Sequence, residues 1–299
     1  MPVFPPHCDK NYNAFIGFRQ ISLNKIFISS IPGLFAYIEF FRYHIKNLSG
    51  TKMFYDDIAD FYDDMTGYSE ELELTRTALD GFIKKYPAAH IFDSACGTGI
   101  YAIAAAKLGI TAAGADISEN MIAKARINSA RENVPVRWVA GDIRILNEAE
   151  MGKFDMILCM GNSLPHFLST GDLRDVFRVW KTLLNPGGVL VVEFLNYTKI
   201  LERKERVIYI DRKSEREFIR FYDFIDGKSL IFNILELEWR DGKADHRLFS
   251  MELHPYQYEE VVRIAEDTGF VTDGIFTDLS FTQFDSRKSG IVLIVFKRK

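Results

Sequence analysis

The 299-residue chain has little of what would place it outside the cell, in a membrane or on nucleic acid. Cysteine is scarce. The three cysteines, Cys8, Cys96 and Cys159, are odd in number and far apart. They form neither a disulfide framework nor a metal-binding spacing, so a reducing cytoplasm is the simplest compartment and no metal is expected. Net charge is small, at -4, so no strongly basic face is implied and no nucleic acid is expected as a partner. Internal repeats and low-complexity tracts are absent. What is there is ordinary for a globular protein: 47% hydrophobic and 26% charged residues. The length suits one large α/β domain with an insertion.

The first fifty residues stand apart, being rich in Phe, Ile and Tyr. Ile26 to Phe41 is mostly apolar, but Glu39 lies inside it and Pro32-Gly33 breaks it. A membrane helix needs about 20 apolar residues, so membrane contact is not expected. A signal peptide fits poorly because the apolar part starts late. Residues 1–52 are read as an extension outside the catalytic core, or an over-long reading of the gene with Met53 as the start. The alternative is an extra helix packed on the domain.

From Met53 onward the pattern is regular. The spacing of Leu72, Leu74, Ala78, Leu79, Phe82 and Ile83 predicts a helix over Ser69 to Tyr86, stopped by Pro87. Short strands follow at Ala88–Ala95, Ile110–Ala115, Val134–Ala140, Phe154–Met160 and Val189–Leu195. They alternate with helices over Gly99–Leu108, from Ser118 to about Arg131, and over Asp172–Leu184, the last turned by Asn185-Pro-Gly-Gly188. Alternation of this kind implies a parallel sheet with helices on both faces, and continuous apolar strands such as Met156 to Cys159 fit burial on both sides. After Asn196 three strands, Glu217–Phe224, Leu230–Trp239 and Arg247–Leu253, are joined by Asp226-Gly227 and Asp241-Gly242 as hairpin turns. A helix over Tyr256–Asp267 and an antiparallel pair, Val271–Phe276 with Ile291–Phe296, would close the main sheet. The expected organisation is therefore residues 53–198 and 254–299 as one cofactor-binding domain, with 199–253 as an antiparallel insertion over the active site.

The most informative segment is Ile91-Phe-Asp93-Ser-Ala95-Cys-Gly97-Thr-Gly99, where a strand turns into a helix. Its glycines permit a sharp turn and close approach of a ligand, and the helix N-terminus suits an anionic group. Asp116 ends the next strand, where an acid can bind ribose hydroxyls. Asp142 ends the third. Gly97-x-Gly99-x-x-Ala102 followed by Asp116 also meets the loose dinucleotide fingerprint, which would make the chain a nicotinamide-dependent oxidoreductase. Asp93 speaks against that: a carboxylate at the strand tip repels a diphosphate. S-adenosylmethionine, with an ammonium and a sulfonium beside one carboxylate, tolerates an acid there.

These residues, together with Asp116-Ile117-Ser118, Asp142-Ile143 and Phe154 to His166, resemble the class I S-adenosylmethionine-dependent methyltransferases. Within them the run Gly161-Asn162-Ser163, followed by His166, is most similar to the glycine and glycine/sarcosine N-methyltransferases, as is Asn196-Tyr197. The resemblance runs from about Tyr55 to the C-terminus. It implies a Rossmann-like fold with a seven-stranded, mostly parallel sheet and an antiparallel β insertion. It implies S-adenosylmethionine as cofactor, its methionyl part held by Asp93, Ala95, Gly97 and Gly99, with Met160 and Gly161 near the amino-acid end. Asp116 and Ile117 would meet the ribose, Asp142 and Ile143 the adenine, and Arg76 the cofactor carboxylate. Asn162, His166 and Tyr197 would orient the acceptor. The acceptor would be a small molecule, methylated at an amine or amino-acid nitrogen by direct displacement; oxygen, RNA and protein acceptors are the alternatives.

One departure matters. The family carries an arginine just before the Asn-Tyr pair that clamps the substrate carboxylate, and this chain has Leu195 there. A charge-assisted contact of that kind is worth about 1.5–3 kcal/mol. Its absence weakens the case for glycine unless another arginine, such as Arg220 or Arg247 from the insertion, replaces it. Tyr55, Phe61, Tyr62 and Tyr68 read as a lid or as hinge packing. Lys199 to Arg220 reads as a solvated, charge-rich surface because acids are interleaved with its bases.

Overall fold

The structure, a computed structural model, describes residues 50–213, 215–225, 229–241 and 243–299. The expectations for the first 49 residues and for the turns at Asp226-Gly227 and Gly242 lie outside the described residues. The described residues form one compact unit.

The chain enters through α1 (Thr51–Thr66) and α2 (Tyr68–Lys85), joined at Gly67, whose φ of 69° lets the second helix start in a new direction. Then β1 (His90–Ser94), α3 (Ile100–Lys107), β2 (Thr111–Asp116), α4 (Glu119–Arg131), β3 (Arg137–Ala140), α5 (Glu148–Met151), β4 (Phe154–Cys159), α6 (Thr170–Leu183) and β5 (Leu184–Leu195) follow in alternation. The strand order is β10-β11-β5-β4-β1-β2-β3, where β10 is Phe270–Phe276 and β11 is Ile291–Arg298. The first five strands run parallel, and β11 and β10 add antiparallel at the β5 edge. This is the expected Rossmann-like sheet. The chain reverses direction across the sheet between β1 and β4, so a crevice opens at the carboxyl ends of those two strands.

The remaining elements are α7 (Tyr197–Arg203), β6 (Val207–Lys213), β7 (Arg216–Phe224), β8 (Leu230–Arg240), β9 (Lys243–Leu253) and α8 (Tyr258–Asp267). The four strands β6 to β9 make a second, antiparallel sheet in sequential order. One more strand is present than the three expected. β6 carries Asp211 and Arg212 and lies at the sheet edge, where charge is tolerated because one side of the ladder faces solvent.

α1 also went unexpected. Phe54, Ile58, Phe61 and Met65 recur every three or four residues and are buried. They pack against the second sheet: Phe61 stacks on Phe218 with ring centres 5.2 Å apart, and Phe54 meets Phe232 at 5.9 Å. The opposite side of α1 is tied to the first sheet's helices. Ser118 Oγ donates to Asp56 at 2.6 Å, and Asn128 Nδ2 donates to Asp63 at 2.9 Å. One helix therefore bridges the two sheets above the crevice.

Candidate active site

The first wall of the crevice is built from backbone. After β1 the chain passes through Ala95 and Gly97 with φ of 63° and 53°, and Cys96 N–H donates to Ala115 O at 2.9 Å. Asp116 receives Gly97 N–H on one oxygen at 2.8 Å and Ser118 N–H on the other at 2.9 Å. A single carboxylate thus pins both loops at the strand tips. The two glycines differ in purpose. A Cβ on Gly97 would meet nothing nearer than the Tyr62 ring at 4.0 Å, so this glycine faces the crevice. A Cβ on Gly99 would strike Trp138 at 2.4 Å, and so would one on Gly114, the cross-strand neighbour of Trp138. Gly99 therefore makes room for a buried indole.

Asp93 is 1% exposed and accepts Ala102 N–H at 3.3 Å, so its carboxyl already sits at the N-terminus of α3. Burial pushes it up to about 7, against the pull of that hydrogen bond. Asp116 is also raised by burial. Glu193, buried on β5, is raised for the same reason and receives Gly161 N–H at 3.3 Å. Three acids around the tips of β1, β2 and β5, Asp93 and Glu193 buried and Asp116 half-buried, favour a cationic occupant, and the acid at the α3 N-terminus disfavours a diphosphate.

The second wall is built from side chains. Gly161 and Asn162 turn with φ of 68° and 69° just after Met160. The Asn162 carboxamide lies against the Tyr197 hydroxyl, with Nδ2 at 2.9 Å and Oδ1 at 3.2 Å, and Oδ1 also accepts Leu195 N–H at 3.0 Å. Tyr197 OH is in turn 3.4 Å from Tyr222 OH on β7. On the α1 side, Tyr55 OH is 3.0 Å from His166 Nε2, and the Tyr55 and Tyr62 rings are 6.3 Å apart. Burial lowers His166 to about 4, and its Nδ1 is shielded and has no hydrogen-bond partner among the described residues. Burial holds Tyr55 and Tyr222 well above the usual phenol range and pushes Tyr62 and Tyr197 up to about 12, so all four are neutral hydroxyls.

A methyltransferase domain model matches residues 91–188, the span from β1 to β5. A glycine/sarcosine N-methyltransferase from Halorhodospira halochloris is 30% identical over 199 residues, covering 62% of this chain and 74% of that protein. The chain belongs to the class I S-adenosylmethionine-dependent methyltransferases. A glycine/sarcosine N-methyltransferase from Parasynechococcus marenigrum is 26% identical over 215 residues, covering 72% of this chain and 74% of that protein. The fold is that of the CcbJ methyltransferase from Streptomyces caelestis, with a TM-score of 0.70 at 24% identity over 84% of this chain and 99% of that one.

S-adenosylmethionine is thus the cofactor of this methyltransferase, and the acid-rich backbone wall fits a sulfonium compound. The structure brings Asp93, Ala95, Gly97, Asp116, Met160 and Gly161 together at the strand tips, and Asn162, His166 and Tyr197 beside them. Ile117 is half-buried after β2, and Ile143 is buried at the start of a short 3-10 turn. Asp142 caps that turn and is gripped by Arg144, which holds its carboxyl below the usual range.

Arg76 is a correction. Its Nε donates to Glu73 at 2.9 Å, and Glu73 also reaches Lys107 at the far end of α3. That end is about 12 Å along the helix from Gly99 at 1.5 Å per residue. Arg76 therefore stands away from the glycine loop, because α2 packs along α3 and turns this position outward. Asp56, Glu193 and Tyr222 were not anticipated. Tyr222 had a signal: with Phe218 and Arg220 it falls at every second position of one strand.

Among the described residues no helix is long and apolar enough to cross a membrane, and no group of three or more His, Cys, Asp or Glu side chains has metal-binding geometry.

Proposed function

We propose that this methyltransferase acts on the nitrogen of a small-molecule amine or amino acid. The observation that carries the reading is the set of four neutral tyrosines around Asn162 and His166. Methylation of an amine needs an exposed lone pair and yields a cation, which aromatic faces and phenolic oxygens stabilise. A phenol acceptor instead needs a base near neutrality, and His166, lowered to about 4 by burial, is too weak for that task.

When bound, S-adenosylmethionine supplies an electrophilic methyl on sulfur. The chain's own contribution is placement and exclusion of water, effects that can lower a barrier by about 7–11 kcal/mol. In this reading Asp93 and the backbone of Ala95 and Gly97, facing Met160 and Gly161, embrace the methionyl part. Asp116 and Ile117 meet the ribose. Ile143 packs on the adenine, while Asp142, already engaged by Arg144, gives its edge a weaker contact. Asn162 and Tyr197 orient the acceptor nitrogen, with His166 held in place through Tyr55. Residues 53–198 and 254–299 act as the cofactor domain and 199–253 as its cover. The relatives named as glycine/sarcosine N-methyltransferases support a nitrogen acceptor.

A methyl-transfer screen with labelled cofactor across amines, amino acids and phenols tests this. Label is expected on amine nitrogen. Transfer confined to phenolic oxygen would sink the reading.

A further inference from the structure

The second sheet holds several arginines, and most are answered by an acid. Arg206 pairs with Asp223, Arg240 with Glu238 at 2.8 Å, and Arg216 and Arg247 share buried Glu236 at 3.7 and 2.6 Å. Arg247 is therefore committed to the sheet itself. Arg212 is exposed and stands over the Trp239 ring, whereas Arg220 is half-buried. Among the described residues no carboxylate lies within 4.0 Å of its guanidinium, and its Nε is shielded from water without a hydrogen-bond partner.

Its position follows from register. Side chains alternate along β7, so Arg220 shares a face with Phe218 and Tyr222, and Phe218 fixes that face as the one toward α1. Tyr209 is its cross-strand neighbour on β6, and the guanidinium carbon lies 4.6 Å from the centre of that ring. Tyr222 leads through its hydroxyl to Tyr197 and Asn162. Tyr62, whose ring borders Gly97, is near enough to act on the Arg220 charge. The charges and hydroxyls that act on Arg220 are those of Tyr62, Tyr209, Asp211 and Tyr222, and Asp211 acts only through space.

A half-buried guanidinium with a dry, unanswered donor is costly unless an anion meets it, and its planar fork matches a carboxylate. Leu195 leaves the first sheet without such a group at the tip of β5. We propose that Arg220 is the specificity residue of the acceptor site: reaching in from the second sheet, it seats an anionic, carboxylate-like group of the acceptor while the reacting nitrogen lies toward Asn162 and Tyr197. The inference rests on the amine reading above.

The test pairs acceptors that differ by the acid alone: glycine against methylamine, and 4-aminobutyrate against propylamine. The wild-type protein should favour the acid-bearing member of at least one pair in kcat/KM. In Arg220→Met that preference should fall roughly 10- to 150-fold, mostly through KM, and Arg220→Lys should recover part of it. The Kd for S-adenosylmethionine, measured by calorimetry, should stay within about twofold. A preference that survives in Arg220→Met overturns the assignment. So does a loss confined to cofactor affinity, which would put the cofactor's own carboxylate on Arg220. Wild-type protein that methylates methylamine as well as glycine, and propylamine as well as 4-aminobutyrate, removes the Arg220 role and leaves the amine reading intact. Label on phenols alone removes both. If Arg220→Met does not fold, the wild-type pairs and Arg220→Lys still decide.

Discussion

The two walls of the crevice solve their tasks with different materials. The wall proposed for the cofactor is backbone, arranged by glycines and by carboxylates that hold N–H groups: Asp93 on Ala102, Asp116 on Gly97 and Ser118, Glu193 on Gly161. The wall proposed here for the acceptor is side chain, with Tyr55, Tyr62, Tyr197, Tyr222, His166 and Arg220 drawn from α1, α7, β7 and the turn after β4. A backbone wall recognises one unchanging ligand. A wall of side chains lets acceptor choice shift by substitution without disturbing the cofactor site. Variants on the two sides should therefore fail differently.

The largest effect should come from the cofactor wall's foundation. Gly99→Ala combines a left-handed φ of 93° with a Cβ 2.4 Å from Trp138. The expected loss of stability in urea unfolding is about 2–5 kcal/mol. A loss below about 0.5 kcal/mol would mean that the indole slot is looser than described. Next, Asp116→Ala should raise the Kd for S-adenosylmethionine roughly 10- to 150-fold. Unchanged affinity in the folded variant would remove the ribose assignment and with it part of the contrast between the walls.

Asp93 sharpens the comparison through pH. Its carboxyl is raised to about 7, so it is protonated below that and charged above. A cationic cofactor favours the charged form. Affinity should therefore rise as pH goes from 5 to 7 and level off beyond, while Asp93→Asn should flatten the profile. The sign for the free protein is opposite: the native state holds a proton that the unfolded chain has released between about pH 4 and 7, so stability from this group falls across that window as pH rises. A cofactor profile equally steep in Asp93→Asn would assign the titration elsewhere. The smallest effect belongs to the acceptor wall. Tyr197→Phe removes one hydroxyl from the Asn162–Tyr222 chain and should lower kcat about 2- to 12-fold with cofactor affinity unaltered. A variant that weakened cofactor affinity and spared kcat would place Tyr197 on the wrong wall.

The cofactor wall was also the more legible one. Strand tips, glycines and the acids after β1, β2 and β3 follow one another in sequence, and local spacing places them within a few residues of where they stand. Small departures occur where pairing overrides local turn chemistry. Asn185 to Gly188 reads as a turn, yet Leu184 pairs with Phe154 and the segment is a bulge inside β5. The acceptor wall joins residues more than a hundred positions apart, such as Tyr55 and His166, and no local pattern announces that meeting. Arg76 was misplaced for the same reason: an arginine within a predicted helix says nothing of which way that helix is rolled. The stripe of Phe54, Ile58, Phe61 and Met65 was readable as a helix, but Gly50 offers no capping side chain to mark its start.

Asp116 has a consequence for how the cleft meets its guest. Because its two oxygens brace Gly97 and Ser118, the neighbouring loops are held by the chain's own hydrogen bonds. Little ordering entropy is then lost on association, and the encounter is closer to a key entering a finished lock than to a hand closing a glove.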